Sequence, residues 1–197
     1  MPFDTPGQQS NPFAVEEIVL KAVRAAYGSP VVTNVWRGQL VEAMVATALA
    51  PEWDWCGADY KSWDFERADG LKLEVKQSSA KQTWKTIKPS KAIFDVAARS
   101  WSYGDDGWSP LSGRAAQLYV LARHEGYDDT TDHRDATQWD FYVIAASDLP
   151  VTAKTVSLSR IAQSVEPVRI DGLKKRVQLV AQAVESCAHQ LPDVTPG

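Results

Sequence analysis

The chain has 197 residues, 44% of them hydrophobic and 23% charged, and its 25 acidic and 21 basic side chains leave a formal net charge of −4. These values exclude a wholly disordered chain and argue against a binder held to nucleic acid by net charge alone. No apolar run approaches the ~20 residues that span a bilayer, and the opening MPFDTPGQQSNPF has neither the basic nor the apolar region of a signal peptide. Two cysteines, Cys56 and Cys187, cannot staple a secreted fold, so a reducing cytoplasm is the expected location and no membrane partner is expected.

In chain order, residues 1–10 are polar with Pro2, Pro6 and Gly7, and a loose N-terminus is expected there. Asn11-Pro12 suits a helix start, with Asn as N-cap and Pro at the first helical position. Val15, Ile18, Val19, Ala22, Val23 and Ala26 then recur at helical spacing up to Tyr27, and Gly28-Ser29-Pro30 closes that helix. A second helix is predicted over 36–49, stopped near Pro51. Two strands are predicted at 61–68 and 71–78, joined by Ala68-Asp69-Gly70. Residues 80–99 start polar and basic and continue as AIFDVAAR, which reads as a loop and then a helix with Ser90 as its cap. Residues 100–113 read as a loop, and 117–123 and 138–145 as strands rich in β-branched and aromatic residues. The segment between those strands, with His124, His133, Glu125, Asp128, Asp129 and Asp132, matches no metal-ligand spacing and reads as a flexible acidic loop. Helices over 157–163 and 171–186 close a single domain of 11–190, and 191–197 reads as a loose tail. The order predicts the α/β class, with a central mixed β-sheet flanked by helices.

Charge is uneven along this order. Residues 61–99 hold nine basic and five acidic side chains, and from Lys72 through Lys76, Lys81, Lys85 and Lys88 to Lys91 the one acid is Glu74. Such a stripe on an acidic chain can gather phosphates over about 8–10 Å, or form a solvated face.

The stretch from Ser62 to Ser78 carries the chemistry. Alternation puts Leu71, Leu73 and Val75 on one face of the second strand and Lys72, Glu74 and Lys76 on the other. A two-residue turn at Asp69-Gly70 would set apolar residues against polar ones. A three-residue turn with a left-handed Gly70 instead pairs Arg67 with Leu71 and sets Asp64 across from Glu74. Two carboxylates about 4.5–5.5 Å apart at Cβ repel unless a positive charge lies between them. A divalent cation is one candidate for that charge and Lys76 is the other. Glu42 is the single acid in an apolar helix, and reads either as a metal-supporting residue or as an exposed residue on an amphipathic face.

Asp64, the hairpin Glu74-Val75-Lys76 and Glu42 on the preceding helix together resemble the PD-(D/E)xK superfamily of restriction-endonuclease-like nucleases. The resemblance covers about residues 36–80, and the later strands fit the superfamily core. Trp63 stands where many members have proline. The resemblance implies a restriction-endonuclease-like fold and a Mg²⁺-dependent endonuclease that hydrolyses DNA, with Mn²⁺ as substitute. It implies Asp64 and Glu74 as metal ligands, Glu42 supporting the metal through water, Lys76 assisting the attacking water, and Gln77 in a polar position of less defined role. A restriction or defence role, and a homodimer on a palindromic site, follow from the resemblance only. Ser78, Lys81, Trp84, Lys85, Lys88 and Lys91 are the candidate DNA contacts, basic groups for the backbone and an aromatic for bases. Trp36, Trp101 and Trp108 lie in loop-like surroundings and read as packing residues or ligand contacts. Two rivals stand beside the enzyme: a catalytically inactive DNA-binding module or subunit on the same fold, and an interaction protein with an acidic surface.

Overall fold

In a computed structural model, residues 13–57 and 61–188 are described. The expected loose termini and the Asn11-Pro12 helix start lie outside them.

The first helix, α1 (Val15–Tyr27), takes Ala14 as N-cap and ends on the Gly28 N–H, which donates to the Arg24 carbonyl. It has no buried residue, so its apolar positions pack little. The second helix, α2 (Asn34–Leu49), starts two residues earlier than expected. It buries Val41, Met44, Val45 and Leu49 together with Arg37 and Glu42.

The strands are β1 (Trp53–Trp55), β2 (Phe65–Arg67), β3 (Lys72–Ser79), β4 (Ile93–Asp95), β5 (Arg99–Gly104), β6 (Gly107–Gly113), β7 (Leu118–His124), β8 (Trp139–Ala145) and β9 (Thr155–Ser157). Helices α3 (Leu158–Ile161) and α4 (Ile170–Ala188) complete the chain. Five strands form one sheet in the order β1-β2-β3-β7-β8. The β3–β7 pair is parallel and the others are antiparallel, so the sheet is mixed, as the order of elements predicts.

The hairpin register agrees with the apolar-pairing argument. Phe65 pairs with Leu73 and Glu66 with Lys72, and Gly70 turns the chain at φ +84°. A left-handed φ is open to glycine without the Cβ clash other residues meet. The first strand is shorter than expected: Asp64 still bonds to the Leu73 carbonyl and accepts from the Cys56 N–H, but residues 61–63 meet another element described below.

Three expectations fail. The helix expected after Ser90 is absent: Ile93–Asp95 is strand β4 and 96–98 have no regular structure, with Ile93 and Asp95 exposed, Phe94 and Val96 buried, and β4 paired with β9. Residues 100–113 are no loop but most of the β5–β6 ribbon, a separate two-stranded sheet turning at Asp105-Asp106. The acidic segment after β7 is not loose throughout. His124, Thr131 and His133 are buried, and the His133 ring lies 5.0 Å from that of His124. The Val32 N–H donates to His133 Nδ1 at 3.0 Å, so Nε2 carries the proton and donates to Ser79 Oγ 2.8 Å away. Ser79 Oγ in turn donates to the Lys81 carbonyl.

Two cores flank the sheet. Leu73, Val75, Val120, Phe141 and Val143 meet α2 and Leu173, Val177 and Ala181 of α4 on one face. On the other, Tyr119, Leu121, Tyr142 and Ile144 meet Phe94, Val96, Val156 and Ile161. Both long packing helices therefore cover a single face, and the small β4–β9 sheet with α3 covers the other. No helix among the described residues is long and apolar enough to cross a membrane.

Candidate active site

Alternation along β3 sends Leu73 and Val75 to the helix face, and Glu74 and Lys76 to the opposite one. There they line an open pocket of about 310 Å³ with Asp64, Lys61, Asp95, Arg99, Trp101, Trp108, Arg114 and Tyr119. Tyr119 stands beside Glu74 in the parallel β3–β7 register. The two carboxylates expected to oppose each other thus reach one cavity.

Local bonds set the acids. The Asp64 N–H donates to the Leu73 carbonyl, and Asp64 Oδ2 accepts the Val75 N–H at 2.6 Å, so the carboxylate is tied to the backbone of the facing strand. Lys76 Nζ donates to Glu74 Oε1 in a direct ion pair. The Glu74 side chain is 15% exposed. Burial, then the neighbouring Asp64 charge, push the Glu74 carboxyl well above the usual carboxylate range, with Lys76 pulling the other way. Burial also raises Asp64. For Lys76 burial acts to lower the pKa, but Glu74, Asp64 and Asp95 outweigh it and the pKa is raised. The ammonium stays charged and acts as a donor, not as a base. Tyr119 is pushed up to about 12 by burial and by Glu74, so its phenol stays neutral.

Glu42 does not line the pocket. Its Oε2 accepts the Trp55 indole N–H at 3.1 Å, and Trp55 stacks on Phe65 next to Asp64 in sequence. Burial, followed by the Asp64 charge, raises its pKa to about 7. It feels Lys76 and Glu74 as well, and its apolar helix leaves it 9% exposed.

Gln77 projects to the helix side, where its Oε1 accepts from Arg37 Nε at 2.7 Å and its Nε2 donates to Asn34 Oδ1 at 2.9 Å. Ser78 is buried, its Oγ accepting from Arg123 at 3.1 Å and donating to the Lys91 carbonyl. Neither lines the pocket. The basic loop leaves the end of β3 and is closed by the Ser90 N–H on the Ala80 carbonyl. Lys81 is turned to Asp128 and Asp129, while Lys85, Lys88, Lys91 and Trp84 are exposed outside the pocket. Trp36 packs edge-on against Tyr27.

Asp95, Arg99, Arg114 and Tyr119 were not legible as site residues. Asp95 accepts from the Ala97 N–H and from Arg99 at 3.0 Å, and Arg114 is held by the carbonyls of Val96, Ala146 and Pro150. Each reaches the pocket through long-range pairing that no local spacing records. Strand alternation beside Glu74 could have found Tyr119 only with the β3–β7 register in hand.

Among the described residues, no group of three or more His, Cys, Asp and Glu side chains is arranged to hold a metal. The donor set nonetheless fits a hard cation. Asp64 and Glu74 are two half-buried carboxylates whose burial and mutual repulsion one lysine offsets only in part. Mg²⁺ is usually held by one or two carboxylates, with water and phosphate completing its shell.

The chain matches no known family model, and no curated protein sequence is significantly similar to it.

Proposed function

We propose that this chain is a metal-dependent nuclease on a restriction-endonuclease-like fold, hydrolysing DNA phosphodiester bonds with Mg²⁺, for which Mn²⁺ would substitute. What supports the reading is the meeting of Asp64, Glu74 and Lys76 in one open pocket on a mixed sheet. Asp64 and Glu74 would hold the ion, with Glu42 behind them. Bound there, a divalent cation supplies Lewis-acid polarisation of the phosphate and a more acidic bound water.

The chain's own groups do the rest. The Val75 N–H keeps the Asp64 carboxylate turned into the pocket. Lys76 stays protonated beside Glu74, orients the attacking water through its N–H donors and offsets charge on the pentacovalent phosphorus. The neutral Tyr119 hydroxyl offers a further donor beside Glu74. Lys85, Lys88 and Lys91 would hold the backbone away from the reacting bond.

The test is cleavage of supercoiled, linear and single-stranded DNA with and without Mg²⁺. Asp64→Ala and Lys76→Ala are expected to lose at least about a hundredfold in rate, with unchanged circular dichroism. Both variants cutting like the parent protein would falsify the site.

The direct Lys76–Glu74 ion pair favours a second reading, a DNA-binding module or subunit without turnover, because it engages the lysine and one acid with each other. That module would retain DNA and gain no thermal stability from Mg²⁺.

A further inference from the structure

The β5–β6 ribbon adds no buried residue to either core, yet it forms one wall of the pocket through Arg99, Trp101, Trp108 and Leu111. Its register sets Trp101 against Pro110 and Tyr103 against Trp108, which gathers the three aromatic rings on one face. Trp108 meets Tyr103 edge-on, with ring centroids 5.4 Å apart. Trp101 is 54% and Trp108 68% exposed, and both line the cavity that holds Glu74 and Lys76. Indoles left this far in water contribute little to folding through burial.

The ribbon is nevertheless fixed in place, and it is fixed to the segment that carries Asp64. The Ser62 N–H donates to the Tyr103 carbonyl at 3.0 Å and the Tyr103 N–H donates to Ser62 Oγ at 2.8 Å. Lys61 pairs with Asp105 at 2.9 Å. At Gly104 a Cβ would lie 2.9 Å from Trp63 Cη2, so the bare backbone there lets the ribbon close onto the Trp63 ring. These contacts hold residues 61–63 against the ribbon and so couple its position to that of the adjoining Asp64.

Resting on the nuclease reading of the same site, we infer that the ribbon takes an unpaired nucleobase on Trp101 and Trp108, and that the substrate is single-stranded DNA or a frayed end. An indole face stacks only on a base whose own face is free, and inside a duplex both faces are covered by neighbouring bases. The cavity is at the lower end of the roughly 300–1,000 Å³ usual for small ligands, a size suited to one nucleotide-sized group. Arg99, at the foot of the ribbon and lining the same cavity, supplies a guanidinium for the adjoining phosphate. Stacking of this kind tolerates any base, so the ribbon selects strandedness and not sequence.

The experiment is fluorescence anisotropy of a labelled single strand and of the same sequence closed in a hairpin duplex, with Ca²⁺ in place of Mg²⁺. It compares the parent protein with Trp101→Leu, Trp108→Leu and Trp101→Tyr, each checked for an unchanged melting temperature. The parent protein is expected to favour the single strand. Each leucine variant is expected to lose roughly tenfold of that affinity with little change toward duplex, and Trp101→Tyr to recover most of it. Equal or tighter binding of duplex, or leucine variants that bind the single strand unchanged, overturns the inference. If duplex plasmid is cut in an Asp64-dependent way while the leucine variants bind normally, the ribbon inference falls and the nuclease reading stands. If the parent protein neither binds nor cuts DNA of either form, both fall.

Discussion

Glu42 carries a carboxylate on an otherwise apolar helix, and its surroundings set a pH signature. Its pKa is raised from an ordinary 4.5 to about 7, first by burial and then by Asp64. The folded protein therefore binds this proton more tightly than the unfolded chain does. The contribution to stability is fully present below about pH 4.5 and is lost as the pH rises through about 7. A shift of that size corresponds to about 3 kcal/mol. Metal-free Glu42→Gln is accordingly expected to match the parent protein near pH 5 and to exceed its stability at pH 8, by up to that amount, in urea unfolding. An offset equal at both pH values would refute the account. His133 works in the opposite direction. Burial, then Arg37 and His124, lower it from 6.5 to about 4, so its contribution is present above 6.5 and is lost as the pH falls through about 4. His133→Ala is expected to destabilise the protein at pH 8 and to narrow the gap near pH 4, read in the same experiment.

At the scale of elements, the β2–β3 hairpin shows how far local pattern reaches. Only one turn length sets Phe65 against Leu73, and the left-handed Gly70 supplies it. Gly70→Ala is expected to cost about 1 kcal/mol, seen as a lower melting temperature, because alanine resists that φ. A stability unchanged within error would remove the turn from the argument. The same local reasoning failed for β4 and for the β5–β6 ribbon. Ile93–Asp95 is three residues long and is held as strand by β9 at Thr155–Ser157, some sixty residues away. In the ribbon, Trp101, Tyr103 and Trp108 alternate with Ser and Gly, a composition that reads as loop when no buried face confirms the period of two. The alternation was present, but its apolar side faces a pocket and not a core.

At the scale of the molecule, folding and metal binding should be linked. If Asp64 and Glu74 hold a divalent cation, Mg²⁺ at about a hundred times its Kd stabilises the fold by about 2.7 kcal/mol. Both carboxyls must lose their protons to bind it, and both have raised pKa values, so the gain is expected to be larger at pH 8 than at pH 5. Differential scanning fluorimetry with and without Mg²⁺ measures this, with Asp64→Ala as the variant that should lose the effect. A gain of the same size in Asp64→Ala would place the ion elsewhere. The two cores give independent handles on the fold itself. Leu73→Ala on the helix face and Leu121→Ala on the other are each expected to cost about 2–5 kcal/mol, since both side chains are fully buried.

From the amino-acid order alone came α1, α2 and α4, the buried strands β7 and β8, the mixed α/β class, and the hairpin register that sets Phe65 against Leu73. All of these rest on periodicity, turn chemistry and pairing between near neighbours, which are properties of short stretches of chain. Only the tertiary structure decided that Gln77 turns toward Arg37 while Glu74 and Lys76 turn away, that Ser78 is consumed by Arg123, and that Asp95, Arg99 and Tyr119 join the pocket. It also decided that Trp101 and Trp108 of the ribbon share one cavity with the two acids. These outcomes depend on which strands become neighbours in space. Such neighbours are chosen by the burial of whole faces, a choice that no run of a few residues encodes.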